Sequence, residues 1–179
     1  MIKISNTKKM GSVFSWSTQA GHPSEGGSCP ASFDDSGDYV DACKGCYARE
    51  GNYRFPNVKN TRLHNMEDWK REDFVKEMIE YIDLNCRYFR WFDSGDMYHT
   101  KLAEKIYQIC KATPHCKHWI PTRQYKFPKF NNVIERLNGL SNVVVRFSSD
   151  SVVGHTVKGK TTSTIAPDFH IRSLPKSFT

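Results

Sequence analysis

No run of 18 apolar residues occurs in the 179-residue chain, so nothing in it reads as a membrane-spanning helix. The first ten residues, Met1-Ile-Lys-Ile-Ser-Asn-Thr-Lys-Lys-Met10, lack the apolar core of a secretory signal. The chain is therefore expected to stay in a reducing cytoplasm, where thiols bind metals rather than pair. No internal repeat or low-complexity tract stands out, and no Ser-His-Asp or Cys-His arrangement points to hydrolysis. There are six cysteines, and three of them fall in one short segment.

That segment, Cys29 to Tyr47, reads CPASFDDSGDYVDACKGCY and is rich in Gly, Ser and Asp. A packed core has little use for thiols in such a stretch, so Cys29, Cys43 and Cys46 are candidate metal ligands. Cys43-Lys-Gly-Cys46 is a C-x-x-C pair, a spacing that lets two thiolates converge on one centre, with Gly45 easing the turn. Cys29 reaches back across the Asp34-Asp35-Ser36-Gly37-Asp38 turn. Thiolate ligation means zinc or an iron–sulfur cluster, and the sequence leaves both open. His22, His64 and Cys116 are candidates for a fourth ligand; Cys86 and Cys110 read as core.

With 38% hydrophobic and 13% aromatic residues the chain folds, and its length fits one α/β domain over 1–179. Within it we distinguish a cysteine loop over 21–56, a βα core over 65–150 and an irregular C-terminal segment over 151–179. The net charge of +7, from 26 basic and 19 acidic residues, permits contact with nucleic acid without requiring it. Lys8, Lys9, Lys44, Arg49, Arg54, Lys59 and Arg62 gather modestly around the cysteines.

Alternation over Ser12–Trp16 predicts a first strand, leading through a Gly-rich turn into Cys29. From Asn65 to Leu84 a helical period appears in Phe74, Val75, Met78, Ile79 and Ile82, with Asn65 and Asp68 resembling a capping box. Tyr88–Phe92 reads as a strand and Thr100–Ala112 as a helix burying Leu102, Ala103, Ile106, Ile109 and Cys110. His118–Arg123 is a third strand, Lys129–Leu137 a short helix, and Asn142–Ser148 a fourth strand of the apolar kind buried in parallel sheets. Thr161–Ile165 reads equally as a strand or a ligand loop. Strand starts near 88, 118 and 143 lie 25 to 30 residues apart, the length of a strand, a crossover helix and the return. The fold class is α/β, either a partial (β/α) barrel or an open parallel sheet, since a complete eight-fold barrel needs about 250 residues.

In a parallel sheet the carboxyl ends of the strands share one rim, where such folds bind ligands. Arriving there are the cysteine loop, then Asp93, Ser94, Gly95 and Asp96, then Thr122 and Arg123, then Ser148, Ser149 and Asp150. Asp93 and Asp96 can accept hydrogen bonds from an ammonium or a ribose hydroxyl, Gly95 allows close approach of the backbone, and Arg123 or Arg146 can hold a carboxylate. His99 is a candidate for proton transfer.

Cys43-Lys-Gly-Cys46-Tyr-Ala, Gly51-Asn-Tyr-Arg-Phe55, Phe89-Arg-Trp-Phe-Asp-Ser-Gly-Asp96, Trp119-Ile-Pro-Thr-Arg123 and Thr162-Ser-Thr-Ile165 resemble the conserved blocks of a bacteriophage protein family. The resemblance spans about Gly21 to Ile165 and implies a phage-encoded protein acting in the host bacterial cytoplasm. More distantly, the layout is similar to radical S-adenosylmethionine enzymes, which implies a radical-SAM-like barrel, a [4Fe–4S] cluster on Cys29, Cys43 and Cys46, and S-adenosylmethionine near Asp93, Ser94, Gly95, Asp96, Arg123 and Ser148. The spacing departs from that superfamily's C-x-x-x-C-x-x-C, with thirteen residues (30–42) between Cys29 and Cys43.

Three functions follow. The first is a radical-SAM-like enzyme acting on an unidentified small molecule. The second is a non-catalytic protein whose iron–sulfur or zinc site pins the loop while a basic surface binds a host protein or nucleic acid. The third is electron transfer to a host partner. Three ligands favour an open cluster and four a structural site.

Overall fold

Six strands form one sheet in the computed structural model, which describes residues 1–7 and 13–166. They are β1 (Ser5–Thr7), β2 (Val13–Trp16), β3 (Tyr88–Trp91), β4 (Lys117–Thr122), β5 (Val143–Ser148) and β6 (Thr162–Ser163), and their spatial order is their chain order. β2 to β6 run parallel; only β1, at one edge, is antiparallel, pairing Ser5 with Ser15. The mixed α/β class and the mostly parallel sheet agree with the sequence reading, and Thr162–Ser163 resolves as a strand. Ser12, the Lys8–Lys9 pair and residues 167–179 lie outside the described residues.

Register explains how the sheet is covered. Phe14, Phe89, His118 and Val143 stand side by side across β2, β3, β4 and β5, and every second residue from there is buried. Against this face lie helices α3 (Phe74–Asn85), α4 (Thr100–Ala112) and α5 (Asn131–Asn138). Each supplies apolar residues at three- and four-residue steps: Phe74, Met78 and Ile82; Leu102, Ile106 and Ile109; Val133, Ile134 and Leu137. With Trp16, Trp91, Ile120 and Val145 they make one apolar cluster. α4 has the bounds its periodicity predicts, and its cap is His99, whose Nδ1 accepts from the Lys101 N–H at 3.1 Å. That bond gives His99 a capping role at the helix start.

Two expectations need correction. The helix read over 65–84 is two helices, α2 (Pro56–Asp68) and α3, separated by a turn through Trp69. Asn65 is no cap: it lies inside α2, where its amide donates to the carbonyls of Lys3 at 3.0 Å and Ser17 at 2.9 Å. α2 has no apolar stripe because it buries polar residues, Arg62, Asn65 and Asp68, so hydrophobic periodicity could not reveal it. The cysteine loop, in turn, is wound into short turns: 3-10 helices at Pro23–Glu25, Pro30–Ser32, Tyr47–Arg49 and Gly51–Arg54, and α1 (Asp41–Lys44).

Candidate functional site

At the carboxyl rim of the parallel strands lies a cavity of about 410 Å³, within the range of small-molecule sites. Cys29, Cys43 and Cys46 all line it, together with Asp93, Ser94, Gly95, Asp96, Arg123 and Ser148. The cysteine loop and the ends of β3, β4 and β5 thus border one cavity.

Hydrogen bonds fix the loop to the strand ends and to itself. After β2, the Thr18 N–H donates to the Ser94 carbonyl at 3.2 Å, and the Thr18 and Ser28 hydroxyls lie 2.6 Å apart. The Cys29 N–H donates to the Gly21 carbonyl at 2.9 Å. α1, which carries Cys43, is held by the Ala42 N–H to the Asp150 carbonyl beyond β5 at 2.9 Å. Next to Cys46, the Tyr47 hydroxyl donates to the Asp93 carbonyl at 2.7 Å. The three thiols thus come from three separately anchored turns.

Their electrostatics differ. Burial pushes the Cys29 thiol well up, and the neighbouring Asp96 carboxylate adds to it, as do the Cys43 and Cys46 sulfurs. Burial also raises Cys43, but Arg123 and Lys126 pull it back. Buried thiols without a cation stay protonated; a soft metal ion would supply the charge that lets them ionise. Among the described residues, no three His, Cys, Asp or Glu side chains stand close enough as placed to hold a metal, so loading would have to draw the thiols together. The donor set itself suits zinc or an iron–sulfur cluster.

The other cysteines belong to the apolar cluster: Cys86, Cys110 and Cys116 are all buried there, and burial lifts Cys86 to about 11 and Cys116 to about 12. Cys116 therefore lies with the core and away from the cavity lining. His22 and His64 do not line the cavity either. His22 stacks on Phe33 at 3.9 Å and bonds the Ser24 hydroxyl; His64 bonds the Met1 carbonyl at 3.0 Å.

The polar residues of the rim are already engaged. Asp93 accepts from the Ser17 hydroxyl, lies 3.4 Å from the Arg62 guanidinium, and receives the Tyr53 hydroxyl at 3.3 Å. Burial and this carboxylate push Tyr53 up to about 12. Asp96 is buried and held: Thr122 Oγ1 donates at 2.7 Å, the Arg123 N–H at 2.9 Å and the Met97 N–H at 2.8 Å. Burial raises its carboxyl and these bonds oppose the rise. Arg123 reaches Asp150 at 3.1 Å and the Ser149 carbonyl at 2.6 Å. Gly95, at φ 80°, packs against Thr18 and Ser28, so its bare backbone serves the joint between β3 and the cysteine loop.

Sequence reading missed Tyr47, Arg90, Trp119 and Pro121, which also line the cavity. The signal was strand parity. Arg90 and Trp119 alternate with buried neighbours, and their guanidinium and ring stack at 4.6 Å. Phe92, at φ 56°, follows the last residue of β3; its N–H still bonds the Trp16 carbonyl at 2.9 Å and its side chain is buried in the apolar cluster.

Comparison with curated proteins and with solved structures returns no match. A family model does match, across residues 2–176, and its description is Gene product 88. By that match, which takes in nearly the whole sequence, the chain belongs to the Gene product 88 family.

Proposed function

We propose that the chain is a phage-encoded iron–sulfur protein of radical S-adenosylmethionine type, working inside the host cell on a partial (β/α) barrel. The observation that carries this reading is the sorting of the six cysteines. Three are buried in the helix-side cluster, while Cys29, Cys43 and Cys46 share one cavity at the mouth of parallel strands. A thiol costs nothing in a core, but three gathered on the wall of one cavity serve no packing purpose there. A family described by a gene-product number is in keeping with the phage resemblance.

Three cysteines, with no histidine and no fourth cysteine among the described residues lining the cavity, favour a [4Fe–4S] cluster with an open iron over a four-ligand zinc site. When bound, such a cluster would deliver an electron to S-adenosylmethionine, and the protein's task would be placement. Arg123 and Lys126 offset the thiolate charge beside Cys43. Asp93 and Asp96, engaged by Arg62 and Thr122, hold the strand ends that shape the wall. The Ser148 side chain and the rim of Ser163 and Thr164 face the same space and offer polar contacts to a small molecule.

The test is anaerobic purification with iron and sulfide counts, followed by electron paramagnetic resonance of the reduced protein with and without S-adenosylmethionine. About four irons, lost in Cys43→Ser/Cys46→Ser, and a spectrum altered by S-adenosylmethionine support the proposal. A colourless protein with one zinc ends it, and an iron-loaded protein whose spectrum ignores S-adenosylmethionine leaves only electron transfer.

A further inference from the structure

The face of the sheet opposite the helices carries a pattern that the cysteine site does not use. Its residues are Tyr88 and Arg90 on β3, Lys117, Trp119 and Pro121 on β4, and Val144, Arg146 and Ser148 on β5. Register sets Tyr88 beside Lys117, Arg90 beside Trp119, Trp119 beside Val144 and Pro121 beside Arg146. Positions of the other parity are buried under α3, α4 and α5. On this face Tyr88 and Val144 are each 50% exposed, Lys117 is exposed, and Arg90, Trp119 and Arg146 are half-buried.

Three features mark it as a binding surface. Its charges are all of one sign: three cations and no carboxylate across three strands. Its aromatic rings alternate with those cations, and the Arg90 guanidinium lies 4.6 Å over the Trp119 ring with a 3.4 Å bond to the Tyr47 hydroxyl. Two of its donors, Trp119 Nε1 and Arg146 Nε, are buried with no hydrogen-bond partner. A buried N–H left unpaired costs about 1–3 kcal/mol, and an incoming acceptor would recover it.

The strip is also long. Six residues of β5 span roughly 20 Å and three strands about 10 Å. It runs from Tyr88 and Lys117 at the amino end of the sheet to Trp119, Pro121 and Ser148, which line the cavity. A small anion would need one cation, not a row ending in a cavity. A duplex hides its base faces, whereas a single strand offers both phosphates for cations and bases for aromatic stacking.

We propose that the substrate of the cysteine cavity is single-stranded nucleic acid, laid along this open face with phosphates at Lys117 and Arg146 and a base against the Trp119 edge. The inference rests on the cavity being the reaction site proposed above. Binding along the strip, however, does not require metal.

The experiment uses the full chain, purified anaerobically, and fluorescein-labelled ten-nucleotide single strands of RNA and DNA read by anisotropy at 50 and 200 mM salt. A single strand is expected to bind at least tenfold more tightly than the corresponding duplex. Lys117→Glu/Arg146→Glu is expected to weaken binding at least tenfold and to flatten the salt slope by about 1.4, two contacts at about 0.7 each. If the reversal at Arg146 impairs folding, Lys117→Glu/Arg146→Gln serves, with at least a fivefold loss. Equal binding of duplex, a charge-reversal effect below twofold, or nucleoside monophosphate bound as tightly as the oligonucleotide would overturn the proposal. Iron is counted on the same preparations. An iron-free protein that binds the strand through Lys117 and Arg146 removes the cluster and keeps the strip; an iron-loaded protein indifferent to both reversals does the opposite.

Discussion

Arg62 on α2 and Asp93 after β3 form an ion pair at 3.4 Å, with their side chains only 6% and 10% exposed. The guanidinium also lies 4.5 Å over the Tyr53 ring, so helix, turn and strand end meet at one charge pair. Removing the arginine leaves a carboxylate out of water without a cation, which costs about 3–5 kcal/mol. Arg62→Ala is therefore expected to lower Tm by about 10 °C, and Arg62→Met/Asp93→Leu to melt above Arg62→Met alone. Calorimetry decides; a drop under 2 °C in Arg62→Ala would show the pair to be idle.

Stability should fall between pH 6.5 and 4 because of His118. Trp91 Nε1 can only donate, so Nδ1 of His118, 3.3 Å away, carries a lone pair. The Thr113 hydroxyl donates to the Ile109 carbonyl and so accepts from Nε2–H at 2.9 Å. The neutral ring is fully matched, and burial lowers its pKa from 6.5 to about 4. In that window the unfolded chain takes up a proton that the folded chain refuses, so stability drops as pH falls, by roughly 3 kcal/mol in all. Denaturant titrations of wild type and His118→Phe from pH 7 to 4 should diverge by that slope. Parallel curves would refute the assignment.

What could be read from the sequence followed from what each element buries. α4, with Leu102, Ile106 and Ile109 in step, was legible to the residue, and β5, whose Val143, Val145 and Phe147 are all apolar, was legible to within one residue. α2 was not, because Arg62, Asn65 and Asp68 face inward to meet Asp93, the Ser17 carbonyl and Arg71, and polar burial leaves no apolar period. The three-residue β1 was too short to signal itself. At the cavity, cysteine spacing singled out Cys29, Cys43 and Cys46, which line it. Alternation put Arg90 and Trp119 on one face of their strands, but that the two stand side by side shows only once the register of β3 to β4 is known.

Asn142 ties the turn after α4 to the start of β5. Its Nδ2 lies within reach of three carbonyls, those of Cys110 at 2.9 Å, Thr113 at 3.0 Å and Cys116 at 3.1 Å. An amide serves because it donates; a carboxylate in the same place would face three acceptors. Asn142→Asp is expected to cost more than Asn142→Ala, by at least about 2 kcal/mol, although it is the closer match in shape. Urea melts at pH 7.5, where the new carboxyl is charged unless burial neutralises it, test the order, and an alanine variant weaker than the aspartate variant would reverse the argument.

Two glycines with positive φ separate conformational cost from crowding. Gly37 has φ 87° and nothing within 4 Å of where a Cβ would sit, whereas a Cβ on Gly95, at φ 80°, would overlap Thr18 Oγ1 and come within 2.5 Å of Ser28 Oγ and 2.9 Å of the Thr18 carbonyl. Gly37→Ala should therefore cost only the left-handed penalty of about 1 kcal/mol. Gly95→Ala adds overpacking of about 1–3 kcal/mol, and the Thr18 carbonyl cannot rotate away as a side chain can. The strain should appear where the crowding is: amide exchange at Thr18, whose N–H bonds Ser94 across this joint, and at Ser28 and Cys29, whose N–H groups bond Gln19 and Gly21 beside it, should accelerate more than exchange in α4. Because Cys29 follows directly on Ser28, a displaced joint moves the first cysteine of the cavity. Equal costs at the two glycines would mean that the close packing of Gly95 on the cysteine loop contributes nothing.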